Sequence, residues 1–209
     1  MYEKSEMRKI TESSKIIAIM RGVPLEQAVD FATVCADGGI RALEVALNSP
    51  NALEEIALIK EKVGNRLRVG AGTAITVDLA KAAKDAGAEF LLTPSVFEDV
   101  VKYSVENGLP ILPGILTPTE VGVCYRYGID TFKLFPAGNM PLSYVKLLKG
   151  PFDNTEYVAV GGITRDDIRT YLDAGYIGAA IGGGLFDRNL LKEKRLDEAA
   201  KQVKELLAK

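Results

Sequence analysis

Asp85-Ala86-Gly87-Ala88-Glu89-Phe90-Leu91-Leu92-Thr93-Pro94 holds, in ten residues, the unit from which the whole chain is built. Gly87 stands where a helix should end, since a residue without a Cβ enters the left-handed region at little cost. A short run that is apolar at consecutive positions follows, and a proline closes it. The same glycine-then-apolar order recurs at Ala36–Ile40, Glu106–Pro110, Arg126–Asp130 and Asp173–Gly178. Outward from these points lie the apolar runs Lys15–Met20, Ala42–Leu47, Leu67–Gly72, Phe90–Pro94, Pro110–Gly114, Thr131–Phe135, Tyr157–Gly162 and Gly178–Gly183. Their starts are 20 to 27 residues apart. Runs this short, apolar without alternation, read as strands covered on both faces, as in a parallel sheet.

Helical spacing fills the intervals. Ala28, Phe31, Ala32 and Cys35 fall on one face, as do Leu196, Ala199, Ala200, Val203 and Leu207. Thr117-Pro118-Thr119-Glu120 reads as an N-cap, a first-turn proline and a capping-box glutamate. Thr164 ahead of Asp166 and Asp167 reads as a second N-cap. Strand, loop, helix, glycine, strand, eight times over, predicts an α/β protein of one domain, residues 1–209. Its expected fold is a (β/α)8 TIM barrel with an extra N-terminal helix at roughly Ser5–Ser14. An open doubly wound sheet is the alternative, but no G-x-G-x-x-G follows the first strand.

Composition narrows the function classes. The chain has 209 residues, 47% of them hydrophobic and 26% charged, with a formal net charge of −2. That is globular composition, not the low-hydropathy, high-charge signature of disorder. No basic block marks a nucleic-acid partner, no apolar run approaches a membrane span, and the charged N-terminus lacks a signal-peptide core. The expectation is a cytoplasmic protein. There is no histidine. Histidine-based nucleophile systems and imidazole-bound zinc are therefore excluded, and acid–base work falls to Asp, Glu, Lys, Tyr, Cys or water. Cys35 and Cys124 lie on apolar helix faces and read as core.

Barrel active sites sit at the C-terminal ends of the strands. Two strands carry a charge where a core strand should carry none: Glu44 in A-L-E-V-A-L and Lys133 in T-F-K-L-F. Arg21 closes the first strand. The bland reading is a self-satisfied Glu–Lys ion pair, or a lysine whose ammonium snorkels to water. Because the second and sixth strands face each other across a barrel, two ionisable groups converging on one mouth point instead to a reaction site. The chemistry that fits is amine catalysis. Desolvation by the neighbouring phenylalanines, and the Arg21 cation, would lower the Lys133 pKa and free the neutral amine to attack a carbonyl, with Glu44 as general acid/base.

The seventh strand ends V-G-G (Gly161, Gly162) and the eighth I-G-G-G (Gly183, Gly184 last). Glycines at these two strand ends let backbone N–H groups approach a phosphate, beyond their simpler use in tight turns. Thr73 ends the third strand, where its hydroxyl could hold a carboxylate. Pro94 ends the fourth, at the substrate-binding rim, where shaping the loop is an equally good role.

These residues resemble the class I aldolases that act on 2-keto-3-deoxy-6-phosphogluconate and 4-hydroxy-2-oxoglutarate. The resemblance runs from about Ile16 to Phe186, through I-A-I-M-R-G, L-E-V-A-L-N-S-P, V-G-A-G-T, L-L-T-P, L-P-G-I-L-T-P-T-E, F-K-L-F-P-A, K-G-P-F and V-G-G-I. It implies that Lys133 is the Schiff-base lysine and Glu44 the general acid/base. It also implies that Arg21 and Thr73 bind the pyruvate carboxylate, and that Gly161, Gly162, Gly183 and Gly184 belong to the phosphate loops. It implies a homotrimer without metal or organic cofactor, acting on a phosphorylated 2-keto acid. Two positions depart from the pattern: Gly184 stands where a serine is usual, and Val160 where a threonine is usual. L-N-S-P and A-V-G-G resemble the branch acting on the galactonate epimer, whereas K-L-F-P-A and K-G-P-F resemble the gluconate branch. A sugar-phosphate isomerase or epimerase without a covalent step, and a noncatalytic metabolite-sensing barrel, are the competing readings.

Overall fold

The computed structural model describes residues 4–208. Nine parallel strands form a sheet in the order β5-β4-β3-β2-β1-β9-β8-β7-β6. They are β1 (Ile16–Met20), β2 (Ala42–Ala46), β3 (Arg68–Gly72), β4 (Leu91–Leu92), β5 (Ile111–Leu112), β6 (Gly114–Ile115), β7 (Thr131–Leu134), β8 (Glu156–Val160) and β9 (Gly178–Ile181). β5 and β6 are the two halves of the expected fifth strand, parted at Pro113, which has no N–H for a ladder bond. One half pairs with β4 and the other with β7. The sheet thereby curls into the expected barrel, with Lys133 N–H donating to the Pro113 carbonyl at 2.9 Å across the break.

Helices α2 (Leu25–Gly38), α3 (Ala52–Val63), α4 (Val77–Asp85), α5 (Glu98–Glu106), α6 (Pro118–Tyr125), α7 (Tyr144–Lys149) and α8 (Ile168–Ala174) follow successive strands. The short α9 (Asn189–Lys192) and α10 (Leu196–Leu207) close the chain, and α10 packs on α2. The five glycines expected to end helices, Gly39, Gly87, Gly108, Gly128 and Gly175, all have positive φ. The Thr117–Glu120 capping box is formed. Thr164 does not cap α8: it makes a turn in which the Asp167 carboxylate accepts from its N–H and hydroxyl at 2.8 Å, and the helix starts only at Ile168.

Two apolar layers result. The larger lies between strands and helices and includes Leu43, Val45, Phe132, Leu134 and both cysteines. The smaller fills the barrel with Ile17, Phe90, Leu92, Leu112, Val158, Val160 and Ala180. The predicted N-terminal helix is α1 (Glu6–Glu12), capped by Ser5, and its Met7 and Ile10 join this inner layer as a plug at the barrel's floor. Ser5 Oγ donates to Asp130 at 2.5 Å, and Arg8 pairs with Glu156 at 2.9 Å, which anchors the plug to the starts of β7 and β8. With the floor closed, the open end is the C-terminal mouth.

Candidate active site

Strand alternation decides which side chains reach the barrel interior. On β2, Leu43 and Val45 turn to the helices, so Glu44 turns inward. On β7, Phe132 and Leu134 turn outward, so Lys133 turns inward. β2 and β7 are four strands apart in either direction round the ring, and the two groups therefore face each other. Glu44 is buried at 2% exposure and Lys133 at 8%. No ion pair joins them among the described residues, and Glu44 Oε2 has no hydrogen-bond partner.

Room for the carboxyl comes from β3. Gly70 is in register with Glu44, and a Cβ on Gly72 would lie 2.7 Å from the Glu44 carboxyl carbon. Gly70 makes the same allowance for the Phe90 ring, 2.3 Å from where its Cβ would be. The R-V-G-A-G strand is thus glycine at the two positions that would otherwise collide with Phe90 and Glu44.

Burial pushes the Glu44 carboxyl up, against the pull of Lys133 and Arg21. Burial also pushes the Lys133 ammonium down, opposed by Glu44 and assisted by the Arg21 cation. Both groups move toward their neutral forms, as desolvation requires for opposite charges held apart. The phenylalanine that desolvates the amine is Phe135, whose ring centroid is 4.7 Å from Nζ. Phe132, expected to share that task, faces Tyr157 in the outer layer. The amine loses contact with water on one side and keeps its approach from the mouth.

The mouth is a cavity of about 540 Å³. Arg21, Glu44, Thr73, Pro94, Lys133, Gly161, Gly162 and Gly183 all line it. Gly184 does not: it is exposed, past the rim. Gly161 and Gly162 have φ of 84° and 72°, and a Cβ on Gly161 would lie 2.7 Å from the Phe135 ring, so this turn requires glycine. Thr73 has φ of 62°, a conformation that costs a β-branched residue about 1–3 kcal/mol and that concentrates at functional sites. Sequence reasoning missed Asn48 and Arg188 as lining residues, whereas Phe135, expected beside the amine, lines the cavity as well. Asn48 follows β2 and Phe135 follows β7, so their place after a charged strand was a usable signal. Arg188 follows β9 by seven residues and had none.

Both cysteines are buried and free, as expected. Burial raises the Cys35 thiol and pushes Cys124 up to about 12, which leaves neither as a thiolate nucleophile. Among the described residues no helix is long and apolar enough to cross a membrane.

A parallel barrel with a desolvated lysine and a carboxyl facing one another at its C-terminal mouth has the makings of a covalent amine catalyst. Residues 7–202 match the family model described as KDPG and KHG aldolase, and the chain belongs to that family. It is 31% identical over 191 residues to the 2-dehydro-3-deoxy-6-phosphogalactonate aldolase of Escherichia coli (strain K12), covering 90% of this chain and 93% of that protein. It is 30% identical over 203 residues to the KHG/KDPG aldolase of the same organism, covering 97% and 95%. The KDPG aldolase of Legionella pneumophila, solved with pyruvate captured as a covalent carbinolamine, shares the fold. Its TM-score is 0.87 at 24% identity, over 98% of this chain and 99% of that one. The protein is accordingly an aldolase and so a lyase, which favours that reading over the isomerase and the noncatalytic barrel.

Proposed function

We propose that the protein cleaves a 2-keto-3-deoxy-6-phospho sugar acid, of the gluconate or galactonate type, to pyruvate and glyceraldehyde 3-phosphate, and that 4-hydroxy-2-oxoglutarate is a shorter substrate of the same site. One observation carries the reading: Lys133 and Glu44 are buried opposite each other, unpaired and both shifted toward neutrality, at the floor of one open cavity.

In this reading the neutral Lys133 amine adds to the C2 ketone. Glu44 protonates the departing hydroxyl, and water leaves to give a protonated imine. Glu44, now a carboxylate, takes the C4 hydroxyl proton directly or through one water. The C3–C4 bond breaks, its electron pair flows into the imine as an enamine, and the aldehyde departs. Protonation at C3 restores the imine, and hydrolysis releases pyruvate and the free amine. Arg21 and Thr73 hold the C1 carboxylate, which fixes C2 near Nζ. Pro94 shapes the rim, and the backbone at Gly161, Gly162 and Gly183 meets the phosphate. Gly184, the next residue after Gly183, takes a supporting place in that loop. No step calls for a metal or an organic cofactor.

The working protein is proposed to be a cytoplasmic homotrimer of single barrel domains. Exposed apolar side chains such as Leu142 and Leu147 are surface of the kind subunit contact covers.

Borohydride reduction in the presence of pyruvate, followed by peptide mass spectrometry, tests the chemistry. A pyruvyl adduct on Lys133 is expected, and Lys133→Ala is expected to lose the adduct and at least about 100-fold in kcat. An unlabelled Lys133 in folded protein would refute covalent catalysis. Parallel assays of the two epimeric substrates assign the sugar.

A further inference from the structure

The titratable side chains lining the cavity are Arg21, Lys133 and Arg188 against the single acid Glu44. Arg21 and Lys133 are used at the ketoacid end. Arg188 lies in the loop after β9, five residues beyond Gly183, lines the same cavity as Gly162 and Gly183, and is not engaged by the reaction described above. We infer that Arg188 is the side chain that grips the substrate phosphate and makes the site prefer phosphorylated substrates; this rests on the aldolase reading.

Three observations point there. The loop has no hydroxyl to offer, since glycines occupy 182 to 184 and Gly184 is outside the cavity. A side-chain cation for a dianion must come from elsewhere in the lining, and with Arg21 and Lys133 used at the ketoacid end Arg188 is the one left. Its guanidinium is also held but not neutralised. Nη1 donates to the Arg21 carbonyl at 3.3 Å, and the group lies 5.8 Å from the centroid of the buried Phe31 ring, itself packed at a tilt against Phe186. No ion pair engages it among the described residues, and a guanidinium has five N–H donors, so most of its fork remains for an anion. Finally, a planar fork resting on an aromatic face loses little freedom on binding, and its geometry suits two phosphate oxygens at once.

The bond to the Arg21 carbonyl has a further consequence. It ties the phosphate end of the cavity to the β1–α2 loop, and that loop is tied in turn to Ser49 through Gly22 N–H at 3.1 Å. A phosphate drawn to Arg188 therefore steadies the residue that meets the C1 carboxylate.

The test is steady-state cleavage of the 6-phosphorylated sugar acid and its unphosphorylated counterpart by wild type, Arg188→Ala, Arg188→Lys and Arg188→Gln. Inorganic phosphate serves as a competitive inhibitor. Arg188→Ala is expected to lower kcat/KM for the phosphorylated substrate about 10- to 100-fold, mainly through KM, as losing a charged hydrogen-bonding partner should. The ratio between the two substrates should fall by the same factor, phosphate should inhibit more weakly, and lysine, but not glutamine, should restore part of the preference. Equal losses on both substrates would mean that Arg188 acts only through Arg21 and would overturn the assignment, as would no loss on either. If wild type cleaved neither substrate and pyruvate left no reducible adduct, the aldolase reading itself would fall, and this inference with it.

Discussion

Gly72 and Glu44 share one volume: a Cβ on Gly72 would stand 2.7 Å from the carboxyl carbon of Glu44, and within 2.8 Å of both its oxygens. Glu44, the proposed acid/base of the site, is thus positioned by the absence of a side chain on the adjacent strand. Gly72→Ala should push the carboxyl out of place and lower kcat about 10- to 100-fold, the scale of a displacement of about 1 Å. Gly70→Ala meets the Phe90 ring instead, and should cost about 1–3 kcal/mol of stability through overpacking while the folded fraction keeps its turnover. Turnover per folded molecule, beside thermal denaturation of both variants, separates the two.

Arg21 acts on both ionisable groups with the same sign. Its positive charge favours neutral Lys133 and ionised Glu44, and so lowers both pKa values. Arg21→Gln should therefore move both limbs of the kcat/KM pH profile to higher pH, alongside a higher KM for the keto acid. A profile with unmoved limbs would show that Arg21 binds without tuning.

Thr73 spends conformational energy to reach the mouth. Thr73→Gly should relieve that strain and stabilise the fold by up to about 1–3 kcal/mol, offset in part by the entropy glycine gains when unfolded. The hydroxyl is lost with it, so KM for pyruvate-containing substrates should rise. Thr73→Ala loses the hydroxyl with less relief of strain. Melting temperatures and KM of the two variants together check this trade.

Away from the mouth, Glu55 of α3 is buried, with Oε1 unpartnered, and burial pushes its carboxyl up to about 7. Below its unfolded pKa, near 4.5, the group is protonated in both states and costs nothing through ionisation. Between there and about 7 the folded state binds more protons than the unfolded, so stability falls as pH rises. Glu55→Leu should remove that slope and stabilise the protein at pH 8 by about 1–3 kcal/mol, with a smaller gain at pH 5. Chemical denaturation at the two pH values measures it.

The barrel was legible because each unit announces its own ends. A left-handed glycine such as Gly87 is a local need, met by a local residue. Glu44 and Lys133 were legible for the opposite reason: a charge inside an apolar strand violates a local rule, and such violations gather at sites of function. Their roles depended on neighbours in the chain only as far as alternation allowed. Phe132 touches Lys133 in sequence yet faces away from it, and Phe135, two positions beyond, meets the amine. The Pro113 break likewise left the fifth strand in place, since closure of the ring needs only one half on each side.

Arg188 shows where local reading ends. It sits in an irregular loop amid ordinary surface charge; Gly183 and Gly184 mark the start of that loop, but nothing in the sequence singles out this arginine. What gives it meaning is the Arg21 carbonyl 167 residues away, the Phe31 ring, and the cavity it lines together with Gly162 and Gly183. The chain alone could say which units exist, where each begins and which residues break its pattern, because backbone sterics and periodic burial act over a few residues. Which side chains share the cavity, which glycine yields space to which carboxyl, and which cation is left for an anion depend on the closing of the barrel. That closure joins residues far apart in sequence through contacts that no local preference encodes.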